Sequence, residues 1–269
     1  MKFRLKLFSW HLLCSITVLT LVLGGLYLGW YRWPGWYLTN ALRVAPILAS
    51  VDVALGPLLT LLIANQAKSR RVLARDIAII ATVQLTALVY GVSTLWLGRP
   101  LYYTFSEDRL QLVQASDLDP HEVALGIQQN PQFAPHWYSL PRWVWAPLPE
   151  LASAKKEIIE SAVGGGDDVI QMPRYFQAWE RGLPQLRAHL LTVDQQRDYG
   201  FFKKKPRLKQ MMQAQGFAPD EPVTMLMSGQ SPPLLVVFDR SNLQIKAYLR
   251  SDFEIPPTHA AKPHPRPAK

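Results

Sequence analysis

The segment VDVALGPLLTLLI, residues 51–63, is the most informative part of this chain. It is apolar enough to lie inside a bilayer, yet it contains a carboxylate, Asp52, and the pair Gly56-Pro57. An intramembrane carboxylate is energetically costly unless it finds a partner, so Asp52 is by default a candidate functional group. Gly56-Pro57 interrupts the helical hydrogen-bond ladder and predicts a kink that opens a groove beside the carboxylate. An alternative is open: if the span starts near Val44, Asp52 lies within two turns of the outer end, where water reaches it.

Three apolar runs fill the first hundred residues, at about 7–31, 44–64 and 76–98. Each is close to the roughly 20 residues that span a hydrocarbon core, and such runs cross lipid as helices. A cleaved signal peptide is the alternative for the first run, but it lacks a small-residue cleavage site and we expect it to be retained. We therefore predict a membrane protein with three N-terminal transmembrane helices (1–98), a small α+β periplasmic domain (99–254) and a disordered basic, Pro-rich tail (255–269).

Basic residues beside the spans predict the orientation. They precede the first span and separate the second from the third: Lys2, Arg4, Lys6, Lys68, Arg70, Arg71 and Arg75. The positive-inside rule makes both segments cytoplasmic, so the part after Arg99 is expected in the periplasm of a bacterium, with the spans in the inner membrane. Aromatic residues between 27 and 36 predict an interfacial belt at the exit of the first span. Topology explains much of the net charge of +9, which favours contact with the anionic headgroups of the lipid bilayer or with an acidic protein face, and no nucleic-acid partner.

Two segments of the outer part alternate around a polar turn. LYYTFSEDRLQLV (101–113) and LLVVFDRSNLQIKAYL (234–249) each predict a β-hairpin. Between them we expect a helix at 151–163 that ends at three glycines, and shorter helices at 175–181, 184–191, 194–199 and 206–215. The run 131–149 holds five prolines with Trp137, Trp143 and Trp145. That density predicts a loop without regular structure, laid against a partner or a membrane surface.

The motifs for catalysis or metal binding in this sequence are incomplete. His121-Glu122 would need a histidine at position 125, where the chain has Leu125. Ser153 and Lys156 match the S-x-x-K of penicillin-binding enzymes, but S-D-N and K-T-G elements are missing. The six histidines show no metal-ligand spacing, and His11 is read as a partly wet imidazole near the cytoplasmic end of the first span. We expect no enzyme activity, no catalytic residues, no cofactor and no metal.

The combined pattern resembles the TfpX/TfpZ family of type IV pilin accessory proteins. It joins the Asp-x-x-x-Gly-Pro of residues 52–57, a glutamine (Gln84) in DIAIIATVQLTALVYG (76–91), and the R-P-x-Y entry of the first hairpin (99–102), over about residues 8–113. The resemblance implies an inner-membrane chaperone or assembly factor that binds a type IV pilin without catalysing a reaction. In this hypothesis the second and third helices hold the pilin helix, and the outer domain shields the pilin head. The candidate partner-binding residues are Asp52, Gly56, Pro57, Gln84, Trp137, Trp143 and Trp145.

Two other classes of function stay open. An envelope sensor or transporter accessory would use Asp52 as a protonatable group, and it predicts a second ionisable residue at matching depth, where the third span offers Gln84. A periplasmic hydrolase tethered by the helices would rest on Ser153 and Lys156.

Overall fold

The computed structural model describes residues 2–39, 41–192, 195 and 222–250. The predicted helices at 194–199 and 206–215 and the predicted tail lie outside the described residues. The described residues fall into two compact units. The first runs to His189 and includes Met227–Ser231, and the second contains the remaining described residues.

Three long helices open the first unit, as the hydropathy predicts. Helix α1 is Lys2–Gly29, and a short helix α2, Gly35–Leu38, follows it. The second span, Ala41–Ile63, joins α3 (Ala41–Ala49), a π-helical segment (Ser50–Leu55) and α4 (Gly56–Ile63). Helix α5 is Arg70–Leu97, and Ser69 caps its N-terminus, because the Ser69 hydroxyl accepts a hydrogen bond from the backbone N–H of Val72. Each span is long and apolar enough to cross a membrane.

Aromatic residues at the exit of α1 pack the helix ends together. Leu26, Tyr31 and Leu95 form a buried cluster. The Tyr31 hydroxyl donates to the carbonyl of Leu95 at 2.5 Å, and burial raises the pKa of this phenol, which keeps it a donor. Gly91 lies on α5 four residues before Leu95. A Cβ on Gly91 would lie 2.8 Å from Leu48 Cδ1, so the glycine allows α3 and α5 to approach closely.

The first unit contains four complete strands of a mixed sheet, and the first of them follows directly after α5. Strands β1 (Pro100–Ser106) and β2 (Arg109–Gln114) form the predicted hairpin, which is confirmed. Strand β3 (Arg142–Trp145) pairs parallel with β1, and β4 (Gln177–Ala178) pairs antiparallel with β3. Met227 and Ser228 pair parallel with Leu110 and Gln111 on the other side of β2.

The expectation that 131–149 contains no regular structure is wrong at β3. Pro141 and Pro147 flank this strand without occupying it, so no backbone donor is lost from its ladder. Between these prolines lie Trp143, Val144 and Trp145, which have high β-propensity, and Val144 is completely buried.

Three helices cover this sheet. Asp119 caps the N-terminus of helix α6 (Pro120–Gln129), because its carboxylate oxygen accepts a hydrogen bond from the backbone N–H of His121 at 2.6 Å. Helix α7 (Ala152–Val163) confirms the predicted helix and ends at Gly164. Helix α8 (Trp179–His189) replaces the two short helices predicted at 175–181 and 184–191. It continues through Pro184 because its face packs on β3: a Cβ on Gly182 would lie 2.6 Å from Trp145 Cγ.

The second unit contains short strands. Strand β5 (Leu191–Thr192) pairs antiparallel with β6 (Pro222–Ser228), whose last residues belong to the first unit. Strands β7 (Leu234–Asp239) and β8 (Ile245–Arg250) form the second predicted hairpin, which is also confirmed. The Asp239 carboxylate accepts bonds from the backbone and hydroxyl of Ser241 at 2.8 and 2.5 Å. These bonds, with Lys246 nearby, lower the pKa of Asp239 to about 2.

Candidate functional site

A chain of hydrogen bonds connects the three long apolar helices. Thr60 on α4 contacts His11 on α1, with 2.6 Å between Thr60 Oγ1 and His11 Nδ1. The other ring nitrogen, Nε2, lies 2.8 Å from Gln84 Oε1 on α5. Gln84 Nε2 donates to the backbone carbonyl of Asp52 at 3.0 Å. We call these four residues the polar chain.

The polar chain begins at a backbone group that the helix itself leaves without a donor. In the π-helical segment the N–H of Gly56 donates to the carbonyl of Val51, five residues back. The same register would pair the Asp52 carbonyl with the N–H of residue 57, but Pro57 has none. Lipid offers no replacement donor. The Gln84 amide therefore supplies the hydrogen bond that Pro57 removes.

Gly56 makes room for this amide. A Cβ at Gly56 would lie 2.0 Å from Gln84 Nε2 and 2.2 Å from its Cδ, which is closer than any real contact. Gln84 is 9% exposed. The predicted interruption of the helix at Gly56-Pro57 thus takes the form of a π-helical segment. The expectation of an open groove there is wrong, because the Gln84 amide occupies the space beside the helix.

The backbone carbonyl of Asp52 determines the donor and acceptor roles in the polar chain, because a carbonyl can only accept a hydrogen bond. Gln84 must present its NH₂ to Asp52, so its oxygen faces His11 and requires a hydrogen on Nε2. The Nδ1 atom of a neutral imidazole then accepts from the Thr60 hydroxyl. These assignments follow from the hydrogen-bond network. The three side chains of His11, Thr60 and Gln84 and the Asp52 carbonyl thus satisfy one another, and the chain ties three helices together.

Asp52 is the central residue of the 23-residue helix Ala41–Ile63. It lies about three turns from either end, farther from the outer end than a span beginning near Val44 would place it, and its depth in a membrane stays a prediction. The helix begins at Ala41, earlier than the run beginning near Val44 suggested. Asp52 is only 5% exposed, and its carboxylate makes no ion pair with any residue that the structure describes.

The three candidate tryptophans lie apart from the polar chain and have different surroundings. Trp143 packs between Tyr103 and Trp179, with ring centroids 4.9 and 4.8 Å away. Trp145 donates its Nε1 hydrogen to Gln185 at 3.0 Å. Trp137, in contrast, is 73% exposed. The structure therefore brings Asp52, Gly56, Pro57 and Gln84 together and places the tryptophans elsewhere.

An apolar cavity of about 330 Å³ lies near the exit of α1. We call it the outer groove. Side chains from α1, the start of the second span and α5 line it, with three aromatic rings among them: Leu23, Leu26, Tyr27, Tyr31, Trp36, Ala41, Leu42, Ala45 and Leu95. Such a cavity suits an aliphatic or aromatic side chain or an acyl chain. The sequence analysis identified these aromatic residues as a belt and did not predict the groove.

His11 is the functional candidate that sequence reasoning missed. His11 is half-buried, but the expectation that it has no special role is wrong, because both ring nitrogens have partners on other helices. One signal was present in the sequence. His11 and Ser15 are four residues apart and so share a helix face, and the Ser15 hydroxyl lies 3.5 Å from Gln84 Nε2.

Catalytic and metal sites gain no support from the described residues. Ser153 and Lys156 lie exposed on α7, where Lys156 is 3.6 Å from Glu160. No group of three or more His, Cys, Asp or Glu residues within the described ranges has metal-binding geometry.

Comparisons with known proteins identify similar chains in Dichelobacter nodosus. The fimbrial assembly protein of serogroup I is 27% identical over an alignment of 266 positions, covering 94% of this chain and 97% of that protein. The fimbrial assembly protein of serogroup E1 is 26% identical with the same coverage. The fimbrial assembly protein of serogroups C1 and C2 is 29% identical over 116 positions, or 43% of this chain and 88% of that protein. No protein-family model matches the chain, and no solved structure matches it. Homology over almost the full length supports a fimbrial assembly family, whereas the narrower TfpX/TfpZ assignment stays a prediction.

Proposed function

We propose that this chain is an inner-membrane accessory protein that binds a type IV pilin and supports its stability or its assembly into pili. The observation that carries the proposal is the similarity to two fimbrial assembly proteins over nearly the whole chain. Three helices that can cross a membrane and an attached sheet domain provide the two surfaces that a membrane-anchored pilin needs. Those relatives are named for assembly and not for catalysis, in line with the absence of complete catalytic motifs in the sequence.

The outer groove is the surface that we propose for the pilin helix. It is apolar and lies between helix ends, where a transmembrane helix of a partner can place a large side chain. The polar chain of His11, Asp52, Thr60 and Gln84 holds α1, α4 and α5 in a constant arrangement. In this proposal it preserves the groove's shape.

Direct partner contact by the seven candidate residues stays a prediction. For Gln84, Trp143 and Trp145 the described bonds and ring contacts lie within the chain, which favours a positioning role. Asp52 is only 5% exposed, but its carboxylate has no ion-pair partner among the described residues, which keeps it a candidate for partner contact. Polar contacts between membrane helices contribute about 0.6 to 2 kcal/mol each. Affinity of this size suits a chaperone, which must release its pilin.

The proposal includes an orientation. With the N-terminus in the cytoplasm, the loop between the second span and α5 is also cytoplasmic, and the sheet domain faces the periplasm. The basic residues of that loop support this orientation. Alkaline phosphatase fused after Arg250 should be active and fused after Lys68 inactive. The opposite pattern would reverse the topology and remove the periplasmic pilin head as a partner.

Site-specific photo-crosslinking tests pilin binding. A benzophenone amino acid at Leu42, which lines the outer groove and is 53% exposed, should form an adduct with the pilin of the same cell. Val89 on α5 is the matched control, because it is 67% exposed and does not line the groove. Equal adduct yield at both positions would refute the groove as the binding surface. Unchanged surface piliation in cells lacking the chain would refute the function itself.

One observation favours a second candidate, the sensor or transporter accessory. It predicted a second ionisable residue at matching depth, and His11 is joined to the Asp52 backbone through Gln84. The connection reaches the Asp52 carbonyl and not its carboxylate. Pilin photo-crosslinking at different pH values separates the two candidates: an assembly factor keeps its pilin adduct at all accessible pH values, whereas a sensor forms no adduct or one whose yield changes with pH.

A further inference from the structure

A short loop in the first unit exposes three large apolar side chains close together. Its sequence is PHWYSL, residues 135–140, and we call it the aromatic loop. Trp137 is 73% exposed, and Tyr138 and Leu140 are each 59% exposed. Their burial would remove a large apolar area from water, so a cluster of this kind marks an interaction surface.

A hydrogen bond connects this loop with the membrane exit of α1. The Trp30 ring donates its Nε1 hydrogen to the carbonyl of Ser139 at 2.7 Å. Trp30 immediately follows α1, which ends at Gly29. Tryptophan at the end of a span lies at headgroup depth, so the backbone of the aromatic loop is at that depth as well.

The strand register gives the same position independently. Strand β1 begins at Pro100, three residues after α5 ends at Leu97. Tyr102 of β1 pairs with Arg142 of the parallel strand β3. The aromatic loop enters β3 and therefore lies at the end of the sheet nearest the membrane. The turn between β1 and β2 lies at the opposite end, about 20 Å along the strand.

The loop is held in its conformation by bonds on both sides. The Tyr102 hydroxyl donates to the Phe133 carbonyl at 2.6 Å, and Arg142 donates to the Gln132 carbonyl at 2.7 Å. Within the loop the backbone N–H of His136 donates to the Ser139 hydroxyl at 2.8 Å. A fixed backbone lowers the entropy that ordering on a surface would require. Residues 131–143 contain no Asp or Glu, so nothing in the loop repels anionic lipid.

We propose that the aromatic loop inserts Trp137, Tyr138 and Leu140 into the headgroup–acyl boundary of the bilayer that the three helices cross. The partner is lipid, because the loop lies level with the Trp30 end of α1 and combines the two residue types that prefer this interface with an aliphatic anchor. The insertion attaches the sheet domain to the membrane surface. It requires no other protein, and it assigns Trp137, one of the seven candidate partner-binding residues, to lipid instead of pilin.

Depth-dependent fluorescence quenching tests this insertion in the full chain. In a Cys14→Ser background, Trp137→Cys carries an environment-sensitive fluorophore in vesicles of phosphatidylethanolamine and phosphatidylglycerol without pilin. Asp108→Cys, exposed in the turn between β1 and β2, is the matched control. Interfacial segments lie about 5 to 10 Å into the headgroup–acyl boundary. A lipid that carries a spin label near its headgroup should therefore quench about half or more of the emission from the fluorophore at position 137. The label at 108 should lose little.

Two results would overturn the proposal. One is equal quenching at 137 and 108, which would leave the loop in water. The other is quenching at 137 that appears only after pilin is added, which would make the pilin the occupant. A label in Leu140→Cys repeats the measurement at the other end of the loop and should give the same strong quenching. Near-UV circular dichroism of each labelled chain verifies that it is folded.

Discussion

Replacing Gln84 with methionine tests the polar chain most directly. Gln84→Met keeps the length of the side chain and removes its bonds to the Asp52 carbonyl and to His11. Interhelical hydrogen bonds in membranes average about 0.6 kcal/mol and reach about 1.7 kcal/mol. Because the substitution also leaves a carbonyl without a donor in lipid, we expect the free energy of unfolding to fall by about 2 to 3 kcal/mol.

Pro57 determines how much of this loss comes from the orphaned carbonyl. Pro57→Ala restores a backbone N–H that can donate to Asp52, five residues back in the π register. In the native chain Gln84 already satisfies that carbonyl, so Pro57→Ala alone should change stability by less than about 0.5 kcal/mol. In the Pro57→Ala background, Gln84→Met should cost about 1 to 2 kcal/mol less than in the native chain.

Reversible unfolding in mixed micelles measures these differences. The full chain is titrated with sodium dodecyl sulfate, and helix loss is followed by far-UV circular dichroism. Leu85→Met is the matched control: it is the neighbouring residue of α5, 59% exposed, and its substitution should change stability by less than about 0.5 kcal/mol. An equal cost for Gln84→Met in both backgrounds would refute the argument that the amide replaces the donor missing at Pro57.

Three further predictions concern other residues. Gly56→Ala should destabilise by about 1 to 3 kcal/mol in the same titration, because its Cβ displaces Gln84 and breaks both bonds; Gly25→Ala, with nothing within 4 Å, should be neutral or stabilising, and similar losses for the two would contradict the packing argument. Asp52→Leu should reduce pilin co-purification and surface piliation, and if both stay unchanged Asp52 has no part in partner binding. Asp239 has a folded-state pKa of about 2 against an ordinary 3.8, so its contribution to stability is present above pH 3.8 and disappears as the pH falls toward 2. In thermal unfolding, Asp239→Asn should not show the part of the acid destabilisation that Asp239 causes in the native chain. If the variant and the native chain lose stability equally between about pH 4 and pH 2, the argument is contradicted.

Elements with local signals were predictable from the sequence. The three long apolar helices follow from hydropathy, and the two hairpins follow from alternation around the polar turns at Ser106 and Asp239. Contacts between distant residues were not. The bond between His11 and Gln84 joins positions 73 residues apart, and nothing in either segment specifies the other. Strand β3 depends on its parallel pairing with β1, so the surrounding prolines concealed it. The distinction between exposed Trp137 and packed Trp143 has the same origin, because only the folded sheet brings Tyr103 and Trp179 to Trp143.

The bond between Gln84 and Asp52 also has a consequence for biogenesis. The second span leaves the ribosome before α5, so the Asp52 carbonyl has no donor from Gln84 until the third span enters the bilayer. We therefore expect the membrane integration of these two spans to be coupled, so that a nascent chain that stops at residue 69 integrates less completely than one that stops at residue 98. Quality-control proteases would encounter the shorter product as an unfinished helical hairpin. A proline in one helix thus makes the completion of that helix dependent on the synthesis of the next.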